Sequence, residues 1–511
     1  GGQRMPHTTN QPNHVPESHD SPSKSPDSSG DSFGNRVRSA VIWRSGSQIV
    51  AQIVQWAATF LVIRILDPGD YGLFAMTGVV LVFLNMLNGY GLASGLIQRE
   101  HVTSHEIRQI FGMLILLNGG LAIAQFTLAP LAAAYYRQDI VTHLLRVQAL
   151  LYLTTPFIAL PFALLSRAMD FRHQARANIC ASIASASAAL TGALLGWGVW
   201  TLVFAPLVMF AVRGAMMTWA AKSLVWPSFD FRGAWGIARY GGVVAAGQFF
   251  WFIQTQTDVF IAGRAFSPHL LGIYTTSLFL TQIFVTKFVP PLNEVAFSAY
   301  ARIQHDEAAV ASAFTRAVRV IMIAAMPFYI GLAATAEPLV LTVLGEKWIE
   351  VAPLVRLLAF AMPFMTLQVL FGPACDARGR PGIAVRNGAV GSVVLTIAFL
   401  IGVQWGAIGL AWSWVAAYPV YLAISTWRSL PVIGARLPQL ADAIAPAALA
   451  AIAMGLVVHV VDQTLPDMSA HLRLLTLIVV GAAVYSTWLI LFARGTLREI
   501  IAMVRKQPLP A

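Results

Sequence analysis

The sequence predicts an all-α polytopic membrane protein, because three features occur together. Of its 511 residues, 57% are hydrophobic and only 11% are charged, whereas about a quarter of the residues in a soluble domain are charged. The hydrophobic residues form long runs, and a run of about 20 is enough to cross a bilayer as a helix. A short motif that follows the first run also recurs later in the chain. We therefore expect two similar sets of membrane-spanning helices.

Short polar or glycine-containing segments divide the apolar runs into about fourteen predicted spans. These are expected at about residues 44–66, 70–96, 108–134, 142–165, 174–196, 199–221, 239–262, 270–298, 317–336, 351–375, 383–404, 406–427, 440–460 and 472–493. Residues 1–35 are rich in Ser, Pro, Asp and His. They contain too little apolar surface to fold, so we predict a disordered tail.

The recurring motif has the form Arg-x-x-x-Pro-x-x-x-Gly, where x is any residue. Its members are, in chain order, Arg64, Pro68, Gly72, Arg264, Pro268 and Gly272. Each copy joins one predicted span to the next, and six spans separate the copies. Because an even number of spans preserves direction, the halves are predicted to be parallel repeats. The two arginines are expected to anchor the ends of their spans at the membrane surface.

The repeat predicts the domain organisation. A six-helix N-terminal lobe is expected over residues 36–221 and a second six-helix lobe over residues 222–436. Residues 437–511 would add two helices and a short tail. With the N-terminus in the cytoplasm, the inner side holds about three Lys or Arg for each one outside, as cytoplasmic loops do. Both termini are therefore expected in the cytoplasm.

Three segments resemble the polysaccharide transporter family of Wzx-type flippases, within the multidrug/oligosaccharidyl-lipid/polysaccharide exporter superfamily. They are residues 64–74, residues 91–99 with the sequence GLASGLIQR, and residues 296–304 with the sequence AFSAYARIQ. The resemblance covers about residues 36–436 and implies two lobes around a central cavity in a bacterial inner membrane. It also implies a cargo, an oligosaccharide on a polyprenyl diphosphate that moves from the cytoplasmic to the periplasmic leaflet. A polysaccharide polymerase and export machinery would be working partners.

Polar side chains lie along one face of two repeat-related spans. They are Gln48, Gln52, Gln55 and Thr59 on the first span, within about 60 degrees of one another on an ideal helix, and Gln248, Thr255 and Asp258 in a looser stripe on the seventh. Polar residues inside spans either hold helices together or line a cavity. Their occurrence on the two repeat-related spans favours a substrate-binding cavity.

Three charged residues lie inside predicted spans, where each costs about 2.5–3.5 kcal/mol near the bilayer centre. Lys287 would supply positive potential for a diphosphate. Asp258 and Glu294 are candidates for binding a coupling H⁺ or Na⁺. A structural ion pair for Lys287, and a Glu294 side chain reaching the membrane surface, are the competing explanations.

Three functions are compatible with these features: a lipid-linked oligosaccharide flippase, an ion-coupled multidrug or small-molecule antiporter of the same fold, and a membrane polysaccharide polymerase or ligase. An enzyme acting outside the membrane needs polar, catalytic outer loops, but the predicted outer loops are short. The charged residues of the longest loop, residues 337–350, are expected to form a solvated turn and not an acid and base pair. We therefore expect a transporter without catalytic activity. No cofactor or metal site is predicted, and the drive is expected to come from an H⁺ or Na⁺ gradient, the membrane potential or downstream consumption of the product. The basic residues are scattered singly, so no nucleic-acid partner is expected.

Overall fold

The computed structural model describes residues 50–89, 92–93, 102–232 and 235–498. For residues 235–247 it describes the backbone only. Within the described residues all strands are absent and the regular secondary structure is helical, so the predicted fold class is confirmed. Gln48, the predicted tail and most of residues 91–99 lie outside the described residues.

The first half of the described chain contains eight helices. They are α1 Val50–Ile65, α2 Pro68–Met86, α3 Ser104–Tyr136, α4 Ile140–Gln148, α5 Leu150–Thr154, α6 Pro156–Arg167, α7 Phe171–Leu194 and α8 Val199–Ala221. The segments α4 to α6 follow one another closely and together make one apolar stretch, Ile140–Arg167. The predicted fourth span is therefore a broken helix.

Besides the short 3₁₀ helices Glu346–Trp348 and Val403–Trp405, the described second half contains ten α-helices of at least eight residues. They are α9 Trp235–Ala265, α10 Pro268–Lys287, α11 Val289–Arg302, α12 Glu307–Ala334, α13 Ala336–Val343, α14 Val351–Ala377, α15 Pro381–Gly402, α16 Gly406–Ile433, α17 Leu437–Thr464 and α18 Ala470–Phe492. The predicted eighth span is divided at Phe288 into α10 and α11, with Pro290 and Pro291 in the first turn of α11. A backbone N–H in the first turn has no partner within the helix, so proline, which lacks this N–H, loses no hydrogen bond there.

Each of the fourteen predicted spans overlaps a helix. Eleven stretches of the described residues are long and apolar enough to cross a membrane, and one of them, Pro381–Ile433, contains two predicted spans. Helix α1 is a shorter apolar helix over its described residues, and α9 is not among the eleven. The protein is thus a multi-pass membrane protein, while the number fourteen stays a prediction.

The two motif copies begin α2 and α10 in the same way. Pro68 and Pro268 are each the first helical residue, a position for which the proline ring is preorganised. The Ser267 Oγ accepts a hydrogen bond from the Leu270 N–H at 3.3 Å. In the first copy, the Asp70 carboxylate accepts from the Asp67 N–H at 3.2 Å. These caps fix where both helices start.

Packing between the two halves involves mainly α2, which contacts both α9 and α10. In the second half α14 is the most enclosed helix and packs against α10, α12, α15 and α16. Helices α17 and α18 pack on each other and attach to α12 and α13. An ion pair between Arg473 Nε and Asp462 Oδ1 at 2.6 Å joins these last two helices.

Candidate functional site

The two copies of the repeated motif contact each other. Gly72 and Gly272 lie one turn after Pro68 and Pro268. A Cβ added to Gly72 would overlap the backbone carbonyl of Pro268, and a Cβ added to Gly272 would overlap the carbonyl of Pro68. The helices α2 and α10 therefore pack backbone to backbone in a reciprocal contact that admits only glycine at both positions. We call this contact the hairpin interface.

The arginine of each copy binds the opposite half of the chain. Arg64 Nη1 donates to the Thr342 carbonyl oxygen at 2.8 Å, and Arg264 Nη1 donates to the Tyr135 carbonyl oxygen at 2.8 Å. The Arg264 guanidinium also lies 5.1 Å from the centroid of the Tyr135 ring. Both arginines therefore join the two halves, and their role as anchors at the membrane surface stays a prediction.

Residues 337–350, expected to form a solvated turn, instead dock on the end of α1. Lys347 Nζ donates to the Ile65 carbonyl oxygen at 2.6 Å and lies 3.4 Å from Asp67 Oδ1. The last carbonyls of a helix lack partners within the helix. The ammonium group supplies one, which is the physical reason for the docking.

Trp348 provides the second contact of this segment. Its side chain is fully buried, and its Nε1 donates to the Ile63 carbonyl oxygen at 2.8 Å. Its ring meets the Tyr71 ring edge-on, with centroids 5.6 Å apart. The second half thus satisfies two carbonyls at the end of α1 and covers the start of α2.

A cavity of about 470 Å³ lies next to the hairpin interface, between α1, α2, α7 and α8 of the first half and α10 of the second. We call it the inter-half cavity. Its polar lining residues are Gln55, Thr59, Tyr71, Ser185, Thr201, Thr275 and Thr276. The described lining contains no acidic or basic side chain. Two residues of the predicted polar stripe, Gln55 and Thr59, therefore face one cavity.

A second space, of about 730 Å³, lies between α2, α3, α4 and α9. At 100 degrees per residue, the α2 residues that line this space lie about 150 degrees around the helix from the α2 residues that line the inter-half cavity. Most of its lining is apolar, and the rings of Phe83 and Phe252 meet there with centroids 5.3 Å apart. Its wall includes the exposed Leu128 and Leu131. We call this space the apolar cleft.

Asp258 lies inside the second half rather than on either space. Its side chain is fully buried, and the Tyr274 hydroxyl donates to its Oδ2 at 2.7 Å. The Trp414 Nε1 donates in turn to the Tyr274 hydroxyl oxygen at 2.8 Å. Within the described chain, Asp258 Oδ1 has no hydrogen-bond partner. Helices α9, α10 and α16 thus enclose a carboxyl group with one free oxygen.

The looser polar stripe predicted on the seventh span does not converge on one surface. Gln248 is exposed, and the Thr255 hydroxyl donates to the Trp251 carbonyl of its own helix at 2.9 Å. Asp258 instead faces α10 and α16. The stripe divides because α9 packs against α2 on one side and against α15 on the other.

Lys287 and Glu294 have exposed side chains on consecutive helices, at the end of α10 and within α11. The Phe288 ring lies beside the Trp56 ring, with centroids 6.2 Å apart. Lys287 is therefore located where α10 passes α1. Gln52, half-buried on α1, lies one turn before Trp56.

Several residues of the site were not predicted from the sequence, among them Tyr274, Thr276, Trp348 and Trp414. Tyr274, Thr276 and Trp414 stand in apolar stretches in which an aromatic or a threonine facing lipid looks the same as one facing a neighbouring helix, whereas Trp348 stands among charged residues. The signal for Thr276 was its place one turn after the repeated glycine, Gly272. Trp348 and Trp414 had no comparable signal.

The comparisons with known proteins agree with this architecture. A family profile described as "Polysaccharide biosynthesis protein" matches residues 61–353, more than half of the chain. The teichuronic acid biosynthesis protein TuaB of Bacillus subtilis is 22% identical over 89% of this chain and 95% of its own length. The succinoglycan biosynthesis transport protein ExoT of Rhizobium meliloti is 24% identical over 86% of this chain and 90% of its own.

A solved structure of the lipid II flippase MurJ, in an inward closed conformation, has the same fold. The match has a TM-score of 0.74 at 13% sequence identity and covers 89% of this chain and 100% of that chain. The resemblance to polysaccharide transporters inferred from three short segments is thus confirmed over most of the chain.

Proposed function

The chain belongs to the family of polysaccharide biosynthesis proteins, and from that premise we propose that it flips a polyprenyl-diphosphate-linked oligosaccharide across a bacterial inner membrane. The sugars would serve exopolysaccharide, capsule or O-antigen synthesis. In this proposal both termini are cytoplasmic, and a polymerase and export machinery take up the cargo on the other side. The names of TuaB and ExoT, a teichuronic acid biosynthesis protein and a succinoglycan biosynthesis transport protein, support a role in polysaccharide transport.

The observation that carries the proposal is the hairpin interface with the inter-half cavity beside it. A flippase must close one side of its cavity while the other side is open. The reciprocal packing of Gly72 and Gly272 forms such a closure, and the two arginines reinforce it. In the proposed orientation this closure faces the periplasm, so the two halves must separate there to release the sugars.

The apolar cleft supports a lipid cargo. Its leucine and aromatic lining is compatible with an isoprenoid chain. Such a chain is apolar, so it can lie in the cleft without leaving an apolar environment. The saccharide would pass between the halves while the chain stays in contact with lipid.

Reconstitution tests the proposal. The purified protein is placed in liposomes with a polyprenyl-diphosphate-linked oligosaccharide that carries a nitrobenzoxadiazole fluorophore on its sugar. Dithionite, which does not cross the bilayer, quenches only the outer leaflet. We expect the protected half of the signal to become accessible over time in the presence of the protein. Protection equal to that in protein-free liposomes would refute flippase activity.

A drug antiporter of the same fold is the second candidate, favoured by the buried acid Asp258. A cavity for hydrophobic cations is expected to hold acids in its lining, whereas the described lining of the inter-half cavity has none. Gradient-driven uptake of ethidium by the same liposomes, without lipid flipping, would favour the antiporter.

Topology gives the first prediction. A reporter fused after Arg436 is expected in the cytoplasm, and a reporter inserted after Gly345 is expected in the periplasm, because of the distribution of Lys and Arg. Alkaline phosphatase, which is active only in the periplasm, and green fluorescent protein give complementary signals. Both reporters on the same side would contradict the proposed orientation.

Lys287 gives the second prediction. Replacing it with alanine is expected to lower flipping at least tenfold, because the ammonium at the α1–α10 boundary is the proposed contact for the diphosphate. Lys287→Arg should retain part of the rate, since it keeps the charge. The dithionite assay measures both variants, and Arg302→Gln serves as a control for removing an exposed positive charge on the adjoining helix. A wild-type rate for Lys287→Ala would remove Lys287 from the binding site.

A further inference from the structure

Three oxygen atoms of the inter-half cavity's lining residues have no hydrogen-bond partner within the described chain. They belong to Gln55 (Oε1), Thr201 (Oγ1) and Thr276 (Oγ1). Thr201 and Thr276 are at least nine-tenths buried, with 1% and 3% of their surface exposed. Buried polar groups are nearly always hydrogen-bonded, so three unpaired ones around a single cavity require an explanation.

The neighbouring residue Thr275 shows that this is not a general property of threonine in these helices. It lines the same cavity, but its hydroxyl donates to the Leu271 carbonyl of its own helix at 2.9 Å. Thr276, one position later, has no such bond. The unpaired oxygens therefore belong to particular residues of the cavity's lining.

Resting on the proposed function, we propose that the inter-half cavity is a binding subsite for uncharged sugar residues of the cargo. Hydroxyl groups of a sugar both donate and accept, which suits an amide oxygen and two threonine hydroxyls. The rings of Tyr71, Phe74 and Phe279 offer flat apolar surfaces to the C–H faces of a pyranose. A uronic acid carboxylate would find no basic partner in the described lining.

The distance from Lys287 determines how long the saccharide must be. Residues 276 and 287 lie on the same helix, α10, and are separated by about 16 Å along its axis. A diphosphate near Lys287 therefore places the first sugar short of Thr276. Only a chain of several residues reaches Gln55 and Thr276 at the same time as the diphosphate is bound.

The experiment uses purified full-length protein in nanodiscs and measures the Kd of farnesyl diphosphate carrying no sugar or a linear chain of one to four glucose residues. We expect one glucose to change the affinity little and the longer chains to bind about tenfold tighter than farnesyl diphosphate. A four-residue chain ending in glucuronic acid is expected to lose this gain. In the variants Thr276→Val and Gln55→Leu the gain should fall about fivefold each, with the affinity for bare farnesyl diphosphate unchanged.

Thr281→Val is the matched control, because Thr281 lies on the same helix outside the lining of the inter-half cavity and its hydroxyl donates to the Ser277 carbonyl of that helix at 2.9 Å; this variant should keep the full gain. Chain-length-independent binding, or a gain that survives the double variant of Gln55 and Thr276, would overturn the sugar subsite while leaving the flippase proposal intact. Failure of every compound to bind the wild-type protein, together with no flipping in liposomes, would instead overturn the proposed function and this inference with it.

Discussion

Replacing Gly72 or Gly272 with alanine is expected to reduce flipping more than tenfold while the protein remains inserted and folded. An added Cβ at either position overlaps a backbone carbonyl of the other hairpin, which no side-chain rearrangement can relieve. The helices α2 and α10 must then separate, and the closure at the hairpin interface is lost. Within a helix, alanine itself is more favourable than glycine by about 1 kcal/mol, so the loss would not come from the helix.

Gly78→Ala is the matched control for this prediction. Gly78 lies on the same helix, α2, and a Cβ there has no neighbour within 4 Å. The dithionite assay gives the flipping rates, and labelling of a cysteine at position 267 by a membrane-impermeant maleimide reports on the closure. We expect faster labelling with Gly72→Ala than with Gly78→Ala. Equal labelling and wild-type flipping would show that the two halves do not need this contact.

The repeated motif allowed much of this interface to be predicted from the sequence. Arg, Pro and Gly recur in register, and each type has the same role in both copies: proline starts the helix, glycine admits the other hairpin, and arginine binds the opposite half. The sequence indicated that the positions were equivalent. It did not indicate that they touch, because a repeat specifies symmetry but not the distance between its copies.

The segment around Trp348 could not be predicted for a different reason. Glu346, Lys347 and Glu350 give it the composition of a solvated turn. What places it is the set of unpaired carbonyls at the end of α1, more than 270 positions away. Only the tertiary fold brings such donors and acceptors together.

The surroundings of the charged residues within spans could not be predicted from the sequence. Sequence spacing placed Asp258 with Gln248 and Thr255 on one stripe, although a helix packed on several sides can direct residues of one loose stripe to different neighbours. Tyr274, Trp414 and Asp258 come from three different helices. Their association depends on how α9, α10 and α16 pack, which hydrophobic periodicity does not report.

Asp258 is proposed to bind the coupling H⁺ or Na⁺. Its carboxyl group is fully buried, and the Tyr274 hydroxyl donates to it at 2.7 Å. Burying a carboxylate without an opposite charge costs several kcal/mol, which favours a bound proton or cation at this group. The unpartnered Oδ1 is the atom available for either.

Asp258→Asn is therefore expected to abolish the response of flipping to an imposed H⁺ or Na⁺ gradient and to lower the driven rate about tenfold or more. The amide has the size of the carboxyl group and its oxygen can still accept from the Tyr274 hydroxyl, so the packing of α9 on α10 and α16 should survive. It cannot be deprotonated and carries no charge for a cation. Loss of coupling with unchanged thermal stability would thus separate an ionic role from a structural one.

The measurement is the dithionite assay in liposomes with and without a pH or Na⁺ gradient, together with the Tm of each purified variant. Asp442→Asn is the control, because Asp442 is an exposed acid on α17 and its replacement should leave the gradient response intact. The two gradients applied separately identify the ion, since the wild-type protein should respond to the one that Asp258 binds. A gradient response in Asp258→Asn equal to that of the wild type would assign the carboxyl group a purely structural role in holding Tyr274 against Trp414.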